Sequence, residues 1–180
     1  MAWLARSAAD APSFADGDGG GDDIHVVIET PSGSRTKYAW DPELHAFAAR
    51  KVLPLGTTFP YDFGFVPRTK AGDGDPLDVL VLADEPLAVG CLVRCRVLGA
   101  VECTTSEADG HEVRNDRVIA VPTASIAGAD WHTARDLGER LVHAIGDFLA
   151  SYTRREGRRF VLLGTVERDA ALALVRAAAI

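Results

Sequence analysis

The chain has 180 residues, of which 47% are hydrophobic and 7% aromatic, and its formal net charge is −7. A chain of this length can bury one substantial core, and this composition is ordinary for a soluble globular protein. The negative charge argues against nucleic acid or an anionic membrane as the main partner, and an anionic substrate would need a local cluster of cations or bound metal ions. No segment approaches the roughly 18 apolar residues of a membrane span, and no apolar stretch typical of a signal peptide is present at the N-terminus. Three cysteines, an odd number, favour free thiols in a reducing cytoplasm.

Residues 1 to 22 differ in composition from the rest of the chain. They are small, acidic and rich in glycine, which predicts a disordered leader. The run DGDGGGDD within them lacks the glutamate that a calcium-binding loop requires, so a solvated linker is the better interpretation. No linker divides residues 23–180, which are predicted to form a single domain.

Strand-like segments dominate the first two thirds of the predicted domain. They are short, rich in β-branched and aromatic residues, and separated by turn sequences such as PSGS and DPE. Their spacing predicts an antiparallel β-barrel that is closed or nearly closed. The predicted strands are residues 24–29, 36–40, 45–52, 76–82, 90–103, 117–123 and 158–166.

Helical periodicity appears late in the chain. Apolar residues recur at steps of three and four between Leu137 and Tyr152, which predicts an amphipathic helix from about Thr133 to Arg155. Gly157 is a suitable stop signal, and residues 167–179 predict a short final helix. The whole pattern is that of an α+β protein, mainly β.

The sequence DGDPLD places Asp73, Asp75 and Asp78 directly before a buried strand. Carboxylates are hard oxygen ligands that suit Mg²⁺, Mn²⁺ or Ca²⁺, and three on one turn would repel each other without cations between them. An EF-hand is excluded, because the required glycine and glutamate are missing at the sixth and twelfth positions. Taken alone, the motif is explained equally well as a polar turn before a strand.

A basic cluster lies upstream. Arg35 and Lys37 face the same side of one predicted strand, while Arg50 and Lys51 are adjacent, so only one of them can share a given face. These cations are typical of solvated strand edges, but beside a carboxylate cluster they also suit a metal-bound phosphate. The later run RREGRR, residues 154–159, is interpreted as a solvated helix end, where cations suit the helix dipole.

Several segments together resemble the soluble family I inorganic pyrophosphatases. The resemblance rests on their order and spacing and extends from about Asp23 to Gly157, and more loosely to the end. DGDPLDV is similar to the signature of that family. The segments are DIHVVIETPSGSRTKYAWDPE, FPYDFGFVPRT, DGDPLDVLVL, PLAVGCLVRCRVLGAV and RVIAVP.

The resemblance implies a closed antiparallel β-barrel of the oligonucleotide/oligosaccharide-binding (OB) type with flanking helices, and a homo-oligomer, with a hexamer favoured. It also implies hydrolysis of pyrophosphate with Mg²⁺, or with Mn²⁺ in its place. Asp75 resembles the general base, and Asp73, Asp75 and Asp78 resemble metal ligands. The implied substrate-binding residues are Glu29, Lys37, Lys51 (or Arg50 with a shifted register), Arg117 and Tyr152.

The chain departs from the family pattern at several of the same places. Two or three carboxylate ligands, one hydroxyl and one lysine are replaced, which implies weaker metal binding and less activated water. The departures are Ala39 for a glutamate, Phe63 for a tyrosine, Ser106-Glu107 or Thr105-Ser106 for an acidic pair, Asn115 for an aspartate with Asp116 one step out of register, and Thr153 for a lysine.

Three hypotheses of function follow. The first is a divergent, Mg²⁺-dependent pyrophosphatase of lowered activity. The second is a repurposed enzyme that uses the more apolar pocket for an organic phosphate or diphosphate, or for another reaction. The third is a non-catalytic binding partner. The first two involve a small anionic substrate, and none involves nucleic acid or a membrane.

Overall fold

The computed structural model describes residues 8–16, 21–106, 110–155 and 157–180. It contains nine strands and two α-helices, α1 (Gly138–Arg155) and α2 (Arg168–Ala178), with short 3-10 turns at Ala8–Asp10 and Ala134–Leu137. The fold is therefore mainly β, as predicted. The strands are β1 (Asp23–Thr30), β2 (Thr36–Asp41), β3 (Ala46–Val52), β4 (Asp62–Phe65), β5 (Asp78–Val81), β6 (Leu92–Ser106), β7 (Glu112–Arg114), β8 (Arg117–Pro122) and β9 (Phe160–Glu167).

The main sheet has seven strands. Its pairings run β1-β4-β5-β8-β6-β7, and the long strand β6 also pairs with β9 and with β1. The pair of β5 with β8 is parallel, which corrects the prediction of wholly antiparallel pairing. Parallel neighbours need a long crossover, and here β6 and β7 lie in the connection between β5 and β8. The local sequence of a short strand does not show which distant strand it will pair with.

Strand β5 shows how the two cores are separated. Its side chains alternate in direction, as they do in any strand. Val79 and Val81 point into a cluster that α2 covers with Leu172. Leu80 points into a second cluster that α1 covers with Leu149. The strand that begins at Asp78 is thus clamped from both faces, which fixes the position of that carboxylate.

The helix α1 confirms the predicted periodicity. Before it, the carboxylate of Asp136 accepts hydrogen bonds from the backbone N–H groups of His132 and Thr133, 2.8 and 2.7 Å long. After it, Gly157 has a φ of +76°, a left-handed conformation that ends the helix at low cost. Within the described residues, neither helix is long and apolar enough to cross a membrane.

Part of the predicted leader is packed against the domain. Phe14 is buried in the cluster beneath α2 and forms an isolated bridge with Ile24. The hydroxyl of Ser13 donates to the carbonyl of Pro67 at 2.7 Å. The small, acidic and glycine-rich composition of this segment predicts disorder, and a single aromatic residue is too weak a sequence signal to overturn that prediction. Residues 1–7 and 17–20 lie outside the described part of the chain.

Candidate active site

A cleft opens between the main sheet, the β2–β3 hairpin and α1, and it contains most of the predicted substrate-binding side chains. β4 lies close to β1 here because Gly64 has no side chain, and a Cβ at that position would come 2.2 Å from the carbonyl oxygen of Val27. The cleft is lined by Glu29, Thr30, Lys37, Phe59, Phe63, Gly64, Asp78, Arg117, Leu149 and Tyr152.

Of the three aspartates of DGDPLD, Asp78 lines the cleft, and the other two are exposed beside it in the chain. Asp78 begins β5, while Asp73 and Asp75 lie on the preceding loop, which turns at Gly74 with a φ of +93°. The backbone N–H of Asp75 donates to Asp73 Oδ1 at 3.2 Å. Burial raises the pKa of Asp73, and the negative charges of Asp78 and Asp75 raise it further. The carboxylates are therefore close enough to repel one another, as the sequence predicted.

Glu29 reaches the same region from β1. Its Oε1 accepts a hydrogen bond from the backbone N–H of Trp40, 2.7 Å long, which ties β1 to the β2–β3 hairpin. Burial raises the pKa of Glu29 to about 7, and the charge of Asp78 adds to the effect while Lys37 opposes it. Glu29 is thus a half-buried acid at the edge of a carboxylate cluster, and its negative charge is only partly compensated.

We expect Glu29→Gln to stabilise the metal-free protein. Because the folded-state pKa of about 7 exceeds the ordinary value, the free energy of unfolding falls as pH rises from about 4.5 to about 7. Glutamine carries no charge to desolvate and keeps an oxygen for the Trp40 N–H. Urea unfolding in EDTA at about pH 8 should show a gain of about 1–3 kcal/mol. The gain should shrink near pH 5, and equal or lower stability of the variant at pH 8 would contradict the stated environment.

Arg117 lies at the start of β8 with only 8% of its surface exposed. Its Nε is 3.6 Å from Asp78 Oδ2. Its Nη1 donates to the carbonyl of Asn115 at 3.0 Å and lies 3.1 Å from the sulfur of Cys103. A guanidinium fixed on several sides presents a positive charge to the cleft with little loss of side-chain entropy on binding.

Arg50 and Lys51 are adjacent on the β2–β3 hairpin, but their side chains have different partners. Arg50 pairs with Asp41 at 2.9 Å on an exposed face. The Nζ of Lys51 lies 3.9 Å from the centre of the Tyr152 ring, and that of Lys37 lies 6.0 Å from it. Lys51 is therefore the residue of the pair that faces the cleft.

Tyr152 connects the cations to an aromatic wall. Its ring packs against Phe59 and Phe148, and Phe63 packs against both of these phenylalanines. The hydroxyl is buried and, among the described residues, makes no hydrogen bond of normal length and angle, although Lys37 interacts with it. Burial raises the pKa of this hydroxyl, and Lys37 partly opposes the shift. A buried O–H without a well-formed hydrogen bond is costly, which favours a ligand oxygen at this position.

The structure also places the residues that depart from the family pattern. Asn115 donates from its side-chain amide to Asp73 Oδ2 at 2.9 Å. Asp116 is turned inward, where it accepts from the backbone N–H of Cys103 at 3.0 Å and pairs with Arg114. Asp116 therefore does not take the place of a site carboxylate at 115.

Two further departures are held in place by the backbone. The Thr153 hydroxyl is buried and donates to the carbonyl of Leu149 at 2.8 Å. Ser106 is bound at the edge of β6, where its Oγ accepts from the backbone N–H of Arg159 at 2.8 Å. Glu107, the alternative candidate for an acidic ligand, lies outside the described residues.

One further cation near the cleft is Arg158, which belongs to the run 154–159 that is predicted to be a solvated helix end. Arg158 is half-buried, and its charge lowers the pKa of Lys51. Gly157 is the sequence signal for this position of Arg158. A left-handed residue that ends a helix turns the following side chains back toward that helix.

Comparisons with known proteins agree with this architecture. A β-domain whose cleft sets carboxylates against cations is suited to a phosphate-type anion held with divalent metal. The model of the family described as inorganic pyrophosphatase matches residues 26–179. The chain belongs to this family.

Individual relatives cover most of the chain. It is 37% identical to the inorganic pyrophosphatase of Thermus thermophilus, over 94% of this chain and 95% of the relative, and 36% identical to that of Synechocystis, over 84% and 87%. The solved structure of the Thermus thermophilus enzyme covers 96% of this chain and 97% of its own with a TM-score of 0.85. An inorganic pyrophosphatase from Coxiella burnetii gives 0.80 at 30% identity, covering 94% and 96%.

Proposed function

We propose that this protein is a divergent inorganic pyrophosphatase that hydrolyses pyrophosphate to two phosphates with Mg²⁺, or with Mn²⁺ in its place. The observation that carries the proposal is the cleft of this family member, in which carboxylates and cations meet. Glu29 and Asp78 face Lys37 and Arg117 across it, and Tyr152 contributes a buried hydroxyl.

The donor set fits a hard divalent cation. In the part of the chain that the structure describes, no three acidic, histidine or cysteine side chains already converge as ligands. Burial raises the pKa of Asp73, the charges of Asp78 and Asp75 raise it further, and a bound cation would relieve that repulsion. Asp73, Asp75 and Asp78 would hold the metal, with Glu29 beside it. When bound, Mg²⁺ would neutralise substrate charge and make water more acidic.

The residues of the chain have distinct roles in this proposal. Asp75, exposed on its loop, accepts a proton as a water oxygen attacks one phosphorus atom. The bridging P–O bond breaks, and the leaving phosphate takes the bonding electrons. Arg117, Lys37 and Lys51 stabilise the negative charge on the two phosphates. The Tyr152 hydroxyl donates to a phosphate oxygen.

We propose that activity is lower than in family members with a full set of site residues. Asn115 offers an amide to Asp73, so the negative charge that an aspartate would add here is missing. Ala39 and Phe63 remove a further carboxylate and a hydroxyl, and the buried Thr153 supplies no cation. Each loss of a positioned group commonly costs about 10²–10⁴ in rate, and losses at one site do not add simply.

The aromatic wall favours a second candidate function. Phe63 lines the cleft and packs against Phe59 and Phe148, so an apolar surface adjoins the phosphate-binding side. That surface suits the organic part of an organic phosphate or diphosphate.

Phosphate release from a substrate panel separates these hypotheses. Metal-free protein is supplied with Mg²⁺ or Mn²⁺ and with pyrophosphate, an alkyl diphosphate or a nucleoside diphosphate. We expect the highest kcat/KM with pyrophosphate. A preference for an organic diphosphate would establish the second function, and silence on every substrate would favour a non-catalytic partner.

A single substitution tests the proposed weakening of the metal site. Asn115→Asp replaces the amide that donates to Asp73 by a carboxylate, so it adds repulsion without metal and attraction with metal. We expect lower thermal stability in EDTA and about tenfold tighter Mg²⁺ binding in calorimetry. Asp116→Asn serves as a comparison, because that side chain faces Cys103 and Arg114 and its loss should leave Mg²⁺ affinity unchanged. An unchanged affinity in Asn115→Asp would contradict the metal position.

We also propose that the protein is a homo-oligomer, with a hexamer favoured, and that it works in the cytoplasm on a closed OB-like barrel. The return of the strand pairings to β1 supports the barrel. Leu162 and Leu163 on β9 are large apolar side chains that are about half exposed, and exposed apolar side chains are common in association surfaces. Sedimentation equilibrium measures the oligomeric state, and a monomer at micromolar concentration would contradict it.

A further inference from the structure

A cationic rim lies at the end of α1, where Lys37 from β2 and Lys51 from β3 approach the Tyr152 ring. Arg158, from the segment after α1, is its third member, because its positive charge acts on Lys51. Lys51 is the closest to the ring, with its Nζ 3.9 Å from the centroid, and Lys37 lies at 6.0 Å. The ring therefore serves as a common platform for the ammonium groups of Lys37 and Lys51, which come from separate strands.

The backbone after α1 directs Arg158 toward this platform. Gly157 has a left-handed φ of +76°, and the next backbone N–H, that of Arg158, donates to the carbonyl of Thr153 at 3.2 Å. This hydrogen bond holds Arg158 beside the last turns of the helix, and its side chain is half-buried. The neighbouring Arg159 is exposed, and its backbone binds Ser106 on β6 through both its N–H and its carbonyl.

The rim collects like charges that act on one another. Burial lowers the pKa of Lys51 to about 8, and the positive charges of Lys37 and Arg158 lower it further. Cations gathered on a half-buried surface repel each other, and an anion bound among them relieves the repulsion. Arginine is suited to this task because its planar donors can grip two phosphate oxygens at once.

We infer that Arg158 is a substrate-binding residue that holds the outer phosphate of a diphosphate against Lys51 at the mouth of the cleft. This inference deepens the proposed function and rests on it. Thr153 stands where the family pattern has a lysine, so the positive charge of that lysine is missing here. The Thr153 side chain is buried, with its hydroxyl bound to the backbone. Arg158 reaches the rim from five positions further along the chain, by way of the turn at Gly157.

The test compares Arg158→Gln with Arg159→Gln, a matched loss of one arginine charge at the adjacent position. Calorimetry measures the binding of methylenediphosphonate, a non-hydrolysable diphosphate, in the presence of Mg²⁺. We expect binding about tenfold weaker in Arg158→Gln, partial recovery in Arg158→Lys, and unchanged binding in Arg159→Gln. Equal affinities for Arg158→Gln and the wild type, equal losses in both glutamine variants, or no binding by the wild type would each overturn the inference.

A pH profile separates a direct role from a merely structural one. The charged or titratable groups that face Lys51 are Lys37, Tyr152 and Arg158. Removing the Arg158 charge should raise the pKa of Lys51, so the alkaline limit of diphosphonate binding should move to higher pH; an unmoved limit would contradict the stated contact. Binding that depends on Arg158 in a protein that releases no phosphate from pyrophosphate would support this inference while the proposed function fails.

Discussion

Asp75→Asn is expected to lower kcat for pyrophosphate hydrolysis by about 10²–10⁴. Asparagine has nearly the same shape but cannot accept a proton from water, and it also removes one negative charge from the carboxylate cluster. Asp75 is exposed on its loop, so the substitution should leave the fold intact. The measurement is the rate of phosphate release at saturating Mg²⁺ and pyrophosphate, with circular dichroism to confirm folding.

Asp147→Asn is the matched control for this prediction. Asp147 is an exposed aspartate on α1, so its substitution makes the same change of charge outside the cleft, and kcat should be unchanged. A variant at 75 that retains more than about a tenth of the wild-type kcat would exclude Asp75 as the general base.

Arg117→Met is expected to lower kcat/KM by about 10²–10³. The substitution removes a fixed positive charge from the cleft and leaves Asp78, 3.6 Å from Arg117 Nε, without its cation. The loss should appear in both KM and kcat, because the charge acts on bound substrate and on the transition state. Steady-state kinetics over a range of pyrophosphate concentrations measures both values.

Two other substitutions serve as controls for the role of Arg117. Arg117→Lys keeps the charge but loses the geometry that reaches the Asn115 carbonyl, so its activity should fall between those of the wild type and the methionine variant. Arg50→Met removes an arginine that pairs with Asp41 away from the cleft and should have little effect. A methionine variant at 117 as active as Arg50→Met would remove Arg117 from the site.

The sequence predicted the chemical composition of the site better than its geometry. DGDPLD before a buried strand indicated a cluster of carboxylates, and the family resemblance implied that Lys37 binds the substrate. Counting residues without gaps favoured Lys51 over Arg50 but left Arg50 open. Lys37 pairs with Lys51 while Tyr38 pairs with Ala49, so a bulge leaves Arg50 as the extra residue, and a bulge has no reliable signature in a single sequence.

Long-range contacts account for the remaining differences. The parallel pair of β5 with β8 depends on a crossover, and the burial of Phe14 depends on the hydrophobic cluster that α2 covers. The position of Arg158 depends on the turn at Gly157. Each arises where distant segments meet, and local periodicity carries no information about such meetings.

Pyrophosphate hydrolysis under Mg²⁺ titration, with the Thermus thermophilus relative assayed beside this protein, tests the central claim most directly. The expected result is phosphate release that requires Mg²⁺, needs more Mg²⁺ for half-maximal rate than the relative does, and reaches a lower kcat. No release at any Mg²⁺ concentration would contradict the proposed activity. A kcat and a Mg²⁺ requirement equal to those of the relative would contradict the claim that the replaced residues weaken the site.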